Sequence, residues 1–123
     1  MNKSLILIIL IFNLIFVSCD GEKEALVEDN MFAMQTTVEA MAMHHFGRYP
    51  SSINDQNYIA HELPDNFVNP YNGNTGSNAV DWGLAINEGN VGYEADGTTF
   101  AATSYTITGA GKDGRLLDLI LTP

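Results

Sequence analysis

The longest stretch of the chain without proline or glycine, from Glu22 to Phe46, constrains the fold more than any other feature. Five apolar side chains and one histidine recur in it at alternating steps of four and three residues: Val27, Met31, Met34, Val38, Met41 and His45. This spacing places all six on one face of an α-helix and predicts a single long amphipathic helix. Gly47 is a typical C-terminal cap, and Pro50 disfavours any long continuation.

The chain after this helix predicts loops and short strands. Residues 50–90 are rich in Asn, Gly, Ser, Asp and Pro, which is typical of structured loops, with a short helix within 52–63 that Pro64 stops. Three later segments carry β-branched, aromatic or alternating apolar residues and are predicted strands: 91–95, 104–108 and 115–121.

In the last predicted strand Leu117, Leu119 and Leu121 share one face, which we expect to pack on the helix. The predicted fold class is therefore α+β, with the long N-terminal helix packed on a small antiparallel sheet of three to four strands.

Composition restricts the function. The chain has 123 residues, enough for one domain, and its 5 basic against 15 acidic residues give a formal net charge of −10. Nucleic acids and anionic lipid headgroups are both recognised by clustered Lys and Arg, so we expect neither as a direct partner. Cys19 is the only cysteine, which excludes an intrachain disulfide.

The N-terminus predicts a targeting signal. Lys3 precedes an apolar run from Leu5 to Val17, which as a helix would reach only about 20 Å. A bilayer core is roughly 30 Å thick, so the run is too short to span it comfortably and is typical of a secretory signal. Removal of residues 1–18 would take away one lysine and no acid, which makes the net charge −11.

The residues "FVSC" at 16–19 resemble the lipobox of bacterial lipoproteins. The resemblance implies a signal peptide at 1–18 and a mature domain at 19–123 whose Cys19 carries acyl chains such as palmitate. Such chains would anchor the protein to a membrane of the cell envelope, outside the cytoplasm. Two alternatives stay open: a signal cleaved elsewhere, with an incidental cysteine, and a retained transmembrane anchor.

The segment "ITGAGKDG" at 107–114 imitates a dinucleotide-binding motif, because Gly109, Gly111 and Gly114 have G-x-G-x-x-G spacing. That motif requires a following helix whose N-terminus holds the pyrophosphate, whereas a strand is predicted here. A phosphate loop requires Gly at Thr106 and Ser or Thr at Asp113. We therefore predict a hairpin turn and no nucleotide.

The histidines and acids offer few sites. His44 and His45 are about 100° apart on the helix and do not converge on one ion, while His61 lies in another segment. No nucleophile stands with a plausible base, which predicts a non-enzymatic protein. Asp113 and Asp118 flank a glycine turn and form a thin candidate calcium site, with a plain turn as the favoured interpretation.

Four segments in order resemble the soluble domain of type IV pilin-like proteins, and most nearly the major pseudopilins of type II secretion. They are "MQTTVEAMAMHHFGRYPSS", "LPDNFVNPYNG", "GNVGYEADG" and "YTITGAGKDGRL", and together they cover roughly residues 30–121. The resemblance implies a pilin-like domain that acts beside a secretion or pilus machine. It also maps the family's calcium loop onto Asp113 and Asp118, in shortened form.

Pilins begin with a short leader, a cleavage glycine and a glutamate inside a long hydrophobic helix, and this chain begins differently. We therefore expect a membrane-anchored lipoprotein whose pilin-like domain is a non-enzymatic accessory or interaction module. Two alternatives remain: a minor pseudopilin that keeps its hydrophobic helix in a filament, and an extracytoplasmic domain that binds calcium or a small ligand.

Overall fold

The computed structural model describes the backbone of residues 3–123 and the side chains of residues 20–123. Helix α1 spans Lys3–Met43, and a shorter helix α2 spans Gln56–Glu62. Three strands follow, β1 (Val80–Asp81), β2 (Val91–Glu94) and β3 (Thr106–Gly109). Single 3₁₀ turns precede β1 and follow β3. The predicted α+β fold class is confirmed, as is the short helix before Pro64.

Helix α1 presents the predicted stripe to the core. Val27, Met31, Met34 and Val38 are fully buried, and Met41 packs against them at the edge of the core. The helix ends at Met43, three residues before the end of the predicted stretch. Gly47 closes it in the left-handed conformation, with its amide N–H donating to the Ala42 carbonyl (2.9 Å) as expected of a cap.

The sheet is mixed, whereas the sequence predicted an antiparallel one. Strand β2 pairs antiparallel with β3, where Val91 lies opposite Gly109 and Tyr93 opposite Ile107. Strand β1, which the sequence did not reveal, pairs parallel with β2 on its other side. It was missed because two residues are too short to show a period of two.

The predicted final strand at 115–121 forms only isolated bridges, Ala110 with Leu116 and Ile107 with Leu121. A bend at Asp118 separates the two bridges and interrupts a continuous ladder. The alternation nevertheless holds, since Leu117 is buried and Leu119 and Leu121 pack against the core. The glycines before this segment form a turn that returns the chain beside β3, as predicted.

The core lies between α1 and the sheet, and α2 closes it at one side. Its largest fully buried side chains include Tyr93, Phe67, Met31, Met34 and Ile59. Gly109 of β3 lets the strand approach the helix closely: a Cβ there would lie 2.7 Å from the Met31 sulfur and 2.9 Å from a Val27 methyl. A larger residue at this position would therefore require the Met31 and Val27 side chains to shift.

Candidate functional site

A groove of about 890 Å³ runs beside the C-terminal half of α1. Helix α1 forms one wall, and α2 with the loop before β3 forms the other. Its lining residues are Ala33, Thr36, Thr37, Ala40, Met41, His44, His45, Tyr58, Glu62, Pro64, Thr99 and Phe100. The groove is the candidate functional site because it is larger and more apolar than the other cleft described, beside Glu94 and Tyr105.

The α1 wall is built from small side chains. Ala33, Thr36, Thr37 and Ala40 recur at helical spacing, roughly a third of a turn around the helix from the buried stripe. The Thr37 hydroxyl donates to the Ala33 carbonyl of its own helix (2.8 Å), so it is already satisfied. This wall is formed by short side chains, and the Thr37 hydroxyl does not require a hydrogen bond from a partner that covers it.

Three rings form the aromatic end of the groove. Phe100 stacks on His45 with ring centroids 3.6 Å apart and an interplanar angle of 13°. Tyr58 of α2 meets Phe100 edge-on at 5.9 Å and leaves 62% of its own surface exposed. Phe100 has φ +48, a conformation that costs a non-glycine residue free energy and needs support from its surroundings.

Asp55 supports this conformation of Phe100 through a hydrogen bond from its backbone N–H. Its carboxylate is fully buried, and its Oδ2 accepts hydrogen bonds from the backbone N–H groups of Ser51 (2.6 Å) and Phe100 (2.9 Å). Its Oδ1 has no hydrogen-bond partner among the described residues. The Asp55 side chain therefore connects the loop at Ser51 with the loop at Phe100. It holds Phe100 in place although the two residues are 45 positions apart in the sequence.

Large apolar side chains are exposed in the segments that flank this end of the groove. Phe46, just after α1, is fully exposed, Met43 is 82% exposed and Ile53 is 72% exposed.

Among the described side chains, the groove lining contains one acid, Glu62, and no lysine or arginine. The other ionisable side chains in the lining are His44, His45 and Tyr58. The chain as a whole carries a formal net charge of −10. The field of the whole chain therefore favours a cationic ligand over an anionic one.

The motifs behind the pilin resemblance meet beside the groove helix. Tyr105 of "YTITG" donates its hydroxyl to Glu39 (2.6 Å) and accepts from the Gln35 amide (3.0 Å), and Tyr49 of "GRYP" also points its hydroxyl at Glu39 (3.4 Å). Burial, together with the hydrogen bond to the Glu39 carboxylate, raises the pKa of Tyr105 well above its usual range. These contacts tie the helix to two distant loops.

The remaining two motifs meet around Asn69. The Asn69 side-chain amide donates to the Glu88 carbonyl and to the Asn90 side chain, both at 2.8 Å, and its oxygen caps the turn at Tyr71. The neighbouring Asp81 carboxylate accepts from the backbone amides of residues 86 and 87 and from two asparagine side chains. Although burial alone would raise the pKa of Asp81, these hydrogen bonds outweigh it and lower the pKa.

The residues predicted from the sequence as sites are dispersed. The segment 1–18 and the Cys19 side chain lie outside the described side chains, so the signal and the acylation stay predictions. Asp113 is exposed in the turn after β3, with φ +60 and its backbone N–H donating to Glu88 (2.7 Å). Asp118 is exposed at the bend beyond it. Calcium at Asp113 and Asp118 stays a prediction.

His44 and His45 were predicted on the helix, but α1 ends at Met43 and both lie in the turn that follows it. Both line the groove, whereas the exposed His61 lies 3.4 Å from Glu62 on α2. Among side chains 20–123 no three His, Cys, Asp or Glu residues are grouped so that they could hold a metal ion. Within the part of the chain searched in the same way, no helix is long and apolar enough to cross a membrane.

Comparison with known proteins adds no relative: no family model, no curated protein and no solved structure matches the chain. What stands is the architecture itself, a long N-terminal helix packed on a three-stranded mixed sheet.

Sequence reasoning missed three residues that define the groove: Tyr58, Phe100 and Asp55. One available signal was the second helical stripe of Ala33, Thr36, Thr37 and Ala40, which carries only small side chains and no charged residue. The pairing of Phe100 with His45 had no sequence signal, because it depends on the loop geometry fixed by Asp55.

Proposed function

We propose that the chain is a membrane-anchored lipoprotein of the bacterial cell envelope, acylated on Cys19, with a pilin-like domain that acts as a non-enzymatic interaction module. A role beside type II secretion or pilus-like machinery follows from the resemblance to pseudopilins, and the meeting of the resembling motifs at Glu39 and Asn69 supports it.

The observation that carries the proposal is the way the helix after Cys19 is tied to the domain. Asp20 pairs with Lys112 (3.3 Å) and Glu24 pairs with Arg115 (2.6 Å), so the first two turns after the cysteine contact the turn that follows β3. An anchor on Cys19 would therefore hold the domain directly, with no flexible linker between lipid and fold. Two or three acyl chains are sufficient for stable anchoring.

The test is the intact mass of the N-terminal peptide from membrane-extracted protein, compared with that of a Cys19→Ser variant. We expect a peptide that begins at Cys19 and carries acyl chains in the parent protein, and an uncleaved or unacylated one in the variant. An unacylated N-terminus in the parent protein would contradict the lipoprotein proposal.

A second candidate function is a minor pseudopilin that keeps its hydrophobic helix within a filament. One observation favours it: α1 is a single helix from Lys3, so the apolar run and the core stripe share one axis. The same mass measurement decides between the two, because the filament protein would retain residues before Cys19 and lack acyl chains.

A further inference from the structure

We propose that the groove beside α1 is the docking site for a cationic amphipathic helix of a partner protein, with an aliphatic or aromatic side chain anchored at its aromatic end. The inference deepens the proposed function, because it assigns the surface and the partner chemistry of the interaction module.

The shape of the α1 wall suits a helix. Small residues at Ala33, Thr36, Thr37 and Ala40 let a second helix approach closely, since interaxial distance is set by the side chains at the contact. From Ala33 to the end of α1 at Met43 the wall extends for about 15 Å, which corresponds to nearly three helical turns. Helices commonly bind such grooves through apolar anchors spaced i, i+3, i+4 and i+7.

The aromatic end supplies the anchor point. Asp55 and the His45 stack fix the Phe100 ring, while Tyr58 presents its exposed ring beside it. A fixed aromatic surface costs little conformational entropy when a partner side chain covers it. The phenol of Tyr58 also leaves a polar edge for the rim of an interface.

Charge selects the kind of partner. Glu62 lines the groove, no lysine or arginine is among the described lining residues, and the chain carries a formal net charge of −10. A cationic helix is attracted to this rim, whereas an anionic lipid surface is repelled. A second copy of this strongly acidic chain is also disfavoured, because like charges would be brought together.

The groove stays accessible when the chain is anchored. Ala33 and Met41 lie about 21 and 33 Å along the helix axis from Cys19, so a helix that stands upright on the bilayer holds the groove beyond the headgroup region. A soluble or membrane-bound partner can therefore reach it.

The test uses the full chain reconstituted in nanodiscs of zwitterionic lipid, with empty nanodiscs as the blank. The probe is a fluorescent peptide of about 14 residues, with leucines on one helical face and lysines elsewhere. Its twin carries glutamate at every lysine position. We expect the lysine peptide to bind with a Kd in the micromolar range and the glutamate twin to bind at least about tenfold more weakly. Equal binding of the two peptides, or no binding of the lysine peptide at millimolar concentration, would overturn the proposal.

Matched variants locate the binding. Ala40→Arg places a cation in the groove, and Ala25→Arg makes the same change at an exposed α1 position outside it. We expect Ala40→Arg to weaken binding at least about tenfold and Ala25→Arg less than about threefold. Phe100→Ala tests the aromatic anchor in the same way, and Phe32→Ala, at an α1 residue outside the groove lining, is its control. Circular dichroism verifies that each variant folds.

Other outcomes also decide. Equal weakening by both arginine variants would indicate binding to the general acidic surface and would overturn the groove. Self-association of the parent chain in detergent that Ala40→Arg abolishes would assign the groove to a second copy and contradict a cationic partner. Neither outcome changes the N-terminal mass, so failure here is distinguishable from failure of the lipoprotein proposal.

Discussion

The two faces of α1 are built from the same helix and differ in what they demand of their residues. On the face toward the sheet, Val27, Met31, Met34 and Val38 are fully buried, and they pack so closely on β3 that a larger residue at Gly109 would displace Met31 and Val27. On the face toward the groove, Ala33 and Ala40 are small and line an open cleft. The face toward the sheet therefore secures the fold, while the face toward the groove is open to the partner that we propose.

The largest expected effect tests the sheet face. Met31→Ala should lower the free energy of unfolding by about 3 kcal/mol, because it removes a fully buried side chain and leaves a cavity. Phe32→Ala is the matched control on the neighbouring residue, which is 49% exposed, and should cost less than about 1 kcal/mol. Urea unfolding followed by circular dichroism measures both. Similar losses for the two variants would show that burial does not distinguish these positions.

The sequence predicted the sheet face well and the groove poorly, and the reason is physical. The stripe of α1 and the alternation of Leu117, Leu119 and Leu121 are local patterns imposed by the geometry of one element. The groove depends on Phe100, whose place is fixed by Asp55 through a contact 45 residues away. A contact between residues so far apart in the sequence leaves no periodic pattern of apolar and polar residues.

Two further features of the fold, the cap of α1 and the pairing of β1, differ in whether the sequence predicts them. The cap at Gly47 was predictable, because only a few residues accept its left-handed conformation. The parallel pairing of β1 was not, because Val80 and Asp81 are too few to show a pattern, and Asp81 contributes by bracing the following loop through its side chain.

The second prediction concerns the tyrosines that hold the sheet side of α1. Burial and the hydrogen bond to Glu39 raise the pKa of Tyr105 above its unfolded value of about 10. A raised folded pKa means that the stabilisation is complete below about pH 10 and is lost as the pH rises further, since the unfolded chain releases the proton first. Alkaline conditions should therefore unfold the protein.

Tyr105→Phe should reduce this alkaline loss by about 1 kcal/mol between pH 9 and pH 11, because one of the tyrosines that must stay protonated is gone. Tyr58→Phe, which removes the hydroxyl of an exposed ring, is the matched control. Chemical unfolding at a series of pH values gives both slopes. An unchanged slope for Tyr105→Phe would mean that the other tyrosines dominate the alkaline transition.

The smallest expected effect concerns the groove face of α1. Ala40→Arg, which we expect to abolish most peptide binding, should change the free energy of unfolding by less than about 0.5 kcal/mol, because Ala40 is exposed and arginine is a good helix former. Thermal unfolding of the parent chain and the variant measures this directly. A variant that loses both binding and stability would show that the groove wall also supports the fold, and the two faces of α1 would then share one role. A variant that loses binding and keeps its stability would show that the two faces of α1 have separate roles. The small size of Ala40 would then serve the partner and not the fold.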